Sequence, residues 1–140
     1  MKKKLLFLCT GNSCRSQMAE GIANKLLPKD IIIKSAGTET QGINTNAIKV
    51  MADISIPISH HKSKKINLED LDDFDLVITL CGDARDKCPI FKSKTQHIHW
   101  GVEDPSIFVG SKEKTYIKYK EVRDIIFDKI SKFENKLRNI

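Results

Sequence analysis

Two kinds of hydrophobic pattern alternate along this chain. Short, mostly apolar runs occur at Lys4–Leu8, Ile31–Ile33 and Leu76–Leu80, with a mixed run at Thr95–Trp100. Between them, apolar residues recur at helical spacing. Met18, Ile22 and Leu26 share one face of a helix that starts at Ser16 and is ended by Pro28. Ala47, Ile48 and Met51 point inward from a helix over Asn44–Asp53. A long helix over Ser111–Asn139 carries Ile117, Val122, Ile125, Ile126, Ile130, Phe133 and Leu137 on its expected inner side. Strands that are apolar throughout need cover on both faces, as parallel sheets have when helices alternate with strands. The pattern therefore predicts an α/β three-layer sandwich around a central four-stranded parallel sheet. No repeat, low-complexity segment or linker divides it, so residues 1–140 read as a single domain.

The remaining segments read as connections. Cys9–Arg15 and Gly37–Gly42 are small and polar, and Ile54–Lys65 is irregular around Pro57. Asn67 can cap a short helix to Leu71. Cys81–Cys88 is a polar segment closed by Pro89.

Composition narrows the class. A chain of 140 residues buries roughly 68% of its unfolded surface, enough for a core without staples. The 40% apolar and 30% charged fractions are those of an ordered globular protein. The net charge is +6, from 24 Lys and Arg against 18 Asp and Glu. No basic cluster is interleaved with aromatics, so nucleic acid is not an expected partner. A positive field would draw a small oxyanion to a cleft. The apolar run after Lys2-Lys3-Lys4 stops at Cys9, short of the ~7–15 residues of a signal peptide. No other stretch reaches the ~20 residues of a membrane span. A cytoplasmic protein is expected, and with no apolar stripe left over, a monomer. Four cysteines in that compartment are not expected to form permanent disulfides. They lack the CxxC spacing of a structural zinc site. Reactive or redox thiols are the better expectation.

The segment Cys9-Thr10-Gly11-Asn12-Ser13-Cys14-Arg15-Ser16 lies between the first strand and the first helix. A loop there can turn its backbone N–H groups toward one centre, with the positive end of the helix behind them. Gly11 permits close backbone approach. Arg15 can grip two oxygens of a tetrahedral anion in one plane. Cys9 would sit beneath the central atom as nucleophile, in a field that favours the reactive thiolate form. Ser16 can add a hydroxyl hydrogen bond to that sulfur. Cys14, inside the loop, reads as a packing residue. A bare CxxxxxR spacing also fits a buried cysteine and a surface arginine. Its placement between strand and helix is what makes the signal strong.

This loop, with Gln17-Met18-Ala19-Glu20-Gly21 after it, resembles the thioredoxin-coupled arsenate reductases, which share the fold of the low-molecular-weight protein tyrosine phosphatases. The resemblance runs over nearly the whole chain. It includes Ser35-Ala36-Gly37, Val77-Ile78-Thr79-Leu80-Cys81, Cys88-Pro89-Ile90, His99-Trp100-Gly101 and Asp104-Pro105. It implies reduction of arsenate to arsenite, in arsenic detoxification, with no tightly bound cofactor and reduced thioredoxin as electron donor. Cys9 would attack arsenic while Asp104 protonates the departing oxygen. The resemblance further implies a transient Cys9–Cys81 disulfide, then a Cys81–Cys88 disulfide offered to thioredoxin. Read without it, Asp104 is a turn residue before proline, and Cys81 fits a buried packing cysteine. Cys88, amid Asp86, Lys87 and Pro89, looks exposed. If residues 81–88 were helical, the two sulfurs' residues would stand roughly 10 Å apart, beyond the ~7 Å that a disulfide spans. That segment is therefore expected to change shape with redox state, with Gly82 as its joint.

Some members of this family bind potassium beside the loop, through residues matching Asn12, Glu20 and Ser35 plus an aspartate. An ungapped placement puts Lys64 at the aspartate's position, where its ammonium group can take the ion's place; Lys64 equally reads as a surface lysine of the basic stretch His60–Lys65. No metal is required in either reading. The main rival function is a low-molecular-weight protein tyrosine phosphatase using the same Cys9, Arg15 and Asp104, and a weak phosphatase side activity is compatible with the loop. Such phosphatases carry aromatic residues after the Asp-Pro pair, where Ser106 and Ile107 stand here. A non-enzymatic arsenite sensor would leave the oxyanion loop without a purpose.

Overall fold

Strand β1, Lys3–Cys9, feeds two different cores. Side chains alternate across a strand. Leu5, Phe7 and Cys9 accordingly enter one cluster, and Leu6 and Leu8 enter another. A strand apolar on both faces is stable only inside a covered sheet, and β1 is central here. The structure is a computed structural model, which describes residues 3–81 and 95–137. Strand β2, Ile31–Gly37, pairs with β1 in parallel from Lys3↔Ile31 to Cys9↔Gly37. Strand β3, Leu76–Cys81, flanks β1 on the other side, with Leu5 opposite Leu76 and Leu8 opposite Thr79. Strand β4, Gln96–Val102, completes a parallel sheet in the order β2-β1-β3-β4.

Helices α1 (Arg15–Leu26), α2 (Thr45–Ala52) and α3 (Lys112–Leu137) contribute to the larger cluster. Met18, Ile22, Val50, Met51, Ile126 and Ile130 are fully buried there. Each such side chain contributes roughly 1.5–3 kcal/mol relative to exposure. On the opposite face, Leu6, Leu8, Ala36, Leu71 and Val77 pack together, and a 3-10 turn over Leu68–Asp73 supplies Leu71. The expected α/β architecture is the observed one. Among the described residues, no helix is long and apolar enough to cross a membrane.

The long helix departs from its expected inner side. Ile117 and Ile125 are each 48% exposed, while Tyr119, Val122, Ile126, Ile130 and Phe133 are buried. At 100° per residue, Ile117 lies about 180° from the centre of that buried stripe. Tyr119 takes an inner position the apolar pattern did not give it. The irregular segment after α2 is also more buried than its sequence suggests. Ile56 and Ile58 enter the core, and they do so against Gly21 of α1. A β-carbon there would fall 2.9 Å from Ile58 Cγ2. Residues 82–94, and with them Cys88 and the expected redox-dependent change of shape, lie outside the described residues.

Candidate active site

The loop between β1 and α1 is pinned along its outer edge by the chain that follows β2. Backbone N–H groups of Thr38, Glu39, Gln41 and Asn44 donate to the carbonyls of Cys9, Thr10, Gly11 and Ser13 at 3.0–3.2 Å. Those carbonyl oxygens are thereby occupied, which removes them as a source of repulsion for an anion held by the loop. Asn12 adopts φ 47°, a left-handed conformation that asparagine tolerates better than most residues. Helix α1 begins at Arg15, one residue ahead of the expected start, and Cys14 caps it without a side-chain hydrogen bond. The positive helix end is thus not neutralised by its own cap residue.

A directional chain of hydrogen bonds ends on Cys9. Asn12 Nδ2 donates to Ser16 Oγ at 2.8 Å and to Ser35 Oγ at 3.0 Å. Ser16 Oγ lies 2.8 Å from Cys9 Sγ. Because Ser16 accepts from Asn12, its own hydroxyl hydrogen is free to point at the sulfur and support a thiolate there. Asn12 is itself locked. Its Oδ1 accepts from Gln17 Nε2 at 2.9 Å and from the Lys64 backbone N–H at 2.7 Å.

Cys9, Gly11, Ser13, Cys14 and Arg15 line a cavity of about 50 Å³. Gln41, Asn44, Asp104 and Ser106 complete its wall. Arg15 is buried, and its guanidinium donates to the carbonyls of Leu80 (3.2 Å) and Val102 (3.0 Å). These anchors at the ends of β3 and β4 fix the plane of the guanidinium. Asp104 Oδ2 stands 3.6 Å from Arg15 Nη2. Asp104 Oδ1 accepts from the Ser106 N–H and hydroxyl at 2.9 and 2.7 Å. The Cys14 thiol is pushed well above its ordinary range, first by burial and then by the nearby Asp104 and Cys9. It is therefore held as a neutral thiol beside the site, in line with a packing role.

Cys81 ends β3, adjacent to β1, two residues beyond Thr79, which pairs with Leu8. Cys81 is disulfide-bonded in this structure, whereas Cys9 and Cys14 are free thiols.

Asn12, Glu20, Ser35 and Lys64 come together behind the loop. Ser35 Oγ donates to Glu20 Oε1 at 2.8 Å, and Lys64 Nζ lies 3.8 Å from the same oxygen. The oxygens that could hold a potassium ion are thus engaged with one another and with N–H donors, and a cationic side chain adjoins the carboxylate. This donor set does not fit a bound cation. His61, absent from the sequence-derived site, adds a second contact. Its Nδ1 is 2.9 Å from Gln17 Oε1 and 3.3 Å from Glu20 Oε2. Sequence reading also missed Gln41, Asn44 and Tyr119 as neighbours of the cavity. Asn44 had a legible signal as a helix cap: its Oδ1 accepts from Asn46 and Ala47 N–H groups. Among the described residues, no group of three or more His, Cys, Asp or Glu side chains could hold a metal ion.

The chain is similar to a protein named arsenate reductase from Oceanobacillus iheyensis, 47% identical over 132 residues, covering 94% of this chain and 95% of that one. It is 45% identical over 134 residues to one of the same name from Bacillus subtilis, covering 95% and 96%. Among solved structures, one described as an arsenate reductase in the phosphate binding state superposes with a TM-score of 0.78 at 33% identity, covering 96% of this chain and 98% of that one. The model of the low molecular weight phosphotyrosine protein phosphatase family matches residues 4–139, and with the loop, strand order and relatives all in agreement, the chain belongs to that family.

Proposed function

We propose that this protein is an arsenate reductase working through a thiol relay supplied with electrons by thioredoxin. The observation that carries it is one small cavity bringing together Cys9, Arg15 and Asp104, with Cys81 ending the neighbouring strand. The loop N–H groups and Arg15 hold arsenate above Cys9. The Cys9 thiolate bonds to arsenic, and one arsenate oxygen leaves as water with a proton from Asp104. Cys81 then attacks Cys9. The sulfur–arsenic bond breaks, its electron pair stays on arsenic, and arsenite departs from a Cys9–Cys81 disulfide. Cys88 attacks Cys81, freeing Cys9 and leaving a Cys81–Cys88 disulfide for the thioredoxin dithiol. Two thiols thus supply the two electrons that arsenic gains, and no bound cofactor takes part. Such chemistry suits the cytoplasm, where thiols are kept reduced.

The test is arsenate-dependent NADPH oxidation in the presence of thioredoxin and its reductase. Turnover is expected in the parent protein and lost in both Cys81→Ser and Cys88→Ser. A phosphatase using the same Cys9, Arg15 and Asp104 would lose little aryl phosphate hydrolysis in either variant and would show no arsenate-dependent turnover.

Lys64 takes the place of a monovalent cation beside Glu20. Equal turnover in potassium and sodium salts is the expected result, and strong activation by potassium would overturn this assignment.

A further inference from the structure

Asp104 can act as an acid only if its carboxyl group is turned toward the anion, and its backbone alone does not ensure that. The backbone is tied down on both sides. Before it, Val102 O accepts from the Arg15 guanidinium at 3.0 Å, and Glu103 pairs with Lys118 of α3 at 2.6 Å. After it, Pro105 is buried, and its carbonyl accepts from the Phe108 N–H at 3.2 Å. The Asp104 side chain is 21% exposed, so packing does not hold its plane, and a carboxylate turns easily about the Cβ–Cγ bond.

Ser106 supplies the missing constraint. Its backbone N–H and its hydroxyl both donate to Asp104 Oδ1, at 2.9 and 2.7 Å. Two donors meeting one oxygen define the carboxylate plane and keep Oδ1 engaged as an acceptor. Oδ2 is the oxygen on the Arg15 side, 3.6 Å from Nη2. Arg15 and Asp104 line the same cavity. The arrangement favours the proton on Oδ2, beside the group that grips the anion.

We infer that Ser106 is a positioning residue: it turns Asp104 so that Oδ2 carries the proton given to the departing oxygen. This deepens the reductase reading and rests on it for the role of Asp104. In that step the Cys9 sulfur bonds to arsenic as one arsenic–oxygen bond breaks. The leaving hydroxide takes the Oδ2 proton and departs as water, and Asp104 remains as a carboxylate. No electrons pass to arsenic until Cys81 attacks Cys9. A direct contact with the anion is the competing role for Ser106, because it too lines the cavity.

The experiment mixes fully reduced, full-length protein with arsenate, without thioredoxin, and follows arsenite release by rapid quench. The parent is compared with Ser106→Ala, Ser106→Thr, Asp104→Asn and the variant carrying both Asp104→Asn and Ser106→Ala. Phosphate affinity is measured on each by calorimetry. General acid catalysis is worth roughly 10²–10⁴-fold, so loss of one of the two donors should slow Ser106→Ala on the order of tenfold. Its phosphate affinity should match the parent's. Ser106→Thr, which keeps both donors, should recover most of the rate. The double variant should be no slower than Asp104→Asn, since Ser106 acts through that carboxyl. The inference is overturned by a Ser106→Ala rate equal to the parent's, by an equal further loss in the Asp104→Asn background, or by a phosphate affinity that falls as much as the rate. Hydrolysis of phenyl phosphate is run in parallel. There Cys9 displaces phenolate, which takes the Asp104 proton, and water then hydrolyses the phosphocysteine. If the parent releases no arsenite, the reductase reading fails, and Ser106 is judged by the same comparisons on phenyl phosphate. A parent inactive toward both would remove the acid step and the inference with it.

Discussion

Asn12 does more than line the loop. It is fully buried, left-handed, and bonded through its side chain to Ser16, Ser35, Gln17 and the Lys64 N–H. A shorter side chain would strand several of those partners in the interior, each costing roughly 1–3 kcal/mol. We expect Asn12→Ala to destabilise the protein by about 2–4 kcal/mol, read as a lower urea midpoint. A loss below about 0.5 kcal/mol, the level of an ordinary surface change, would show that water or neighbouring groups replace these bonds. Cys9 and Cys14, five residues apart, sit in different surroundings. Both are buried, but burial and the nearby Asp104 and Cys9 push the Cys14 thiol up, whereas Cys9 Sγ lies 2.8 Å from Ser16 Oγ.

At the scale of the element, α3 separates sequence periodicity from actual burial. Ile125 and Ile126 are neighbours in the chain, yet one is half-exposed and the other fully buried. Ile126→Ala should cost about 2–5 kcal/mol, through lost transfer energy and the cavity left behind. Ile117→Lys and Ile125→Ser should each stay within about 0.5 kcal/mol. Urea unfolding of the three variants checks this. A large loss at Ile117 would mean that the outer face of α3 has a partner in solution. The β1–loop–α1 unit shows the complementary lesson. There the strand end, the tight loop and the helix start are consecutive, so local geometry alone converges on one point.

For the whole molecule, acid is the sensitive direction. His61 is packed behind the loop against Gln17 and Glu20, with His60 and Lys64 nearby. Burial lowers its pKa from the ordinary 6.5, and His60 and Lys64 lower it further, while Glu20 opposes them. The unfolded chain therefore binds a proton here at a higher pH than the folded one. Stability from this residue is fully present above about pH 6.5 and declines as pH falls below it through the folded-state value. NMR titration of the imidazole should give a midpoint below that of the unfolded protein. His61→Asn, which keeps an N–H donor but does not titrate, should flatten the acid-side slope of stability. A slope unchanged by the substitution would place the acid sensitivity elsewhere, with His97, also lowered by burial, as the next residue to examine.

The sequence by itself determined the sheet, the three helices and the loop from Cys9 to Ser16, because each depends on residues close together in the chain. An apolar run specifies a buried strand, and Cys, Gly and Arg at these offsets between a strand and a helix specify an anion-holding turn. Only the tertiary structure decided what surrounds that turn. Gln41 bonded to Gly11, His61 bracing Glu20 and Gln17, and Tyr119 fixing Asn44 join positions many residues apart. No local propensity encodes such distances; they arise when the sheet order and the packing of α1, α2 and α3 bring the segments into contact. The same holds for Ile117 and Ile125, whose exposure follows from how α3 rotates onto the core and not from their hydrophobicity.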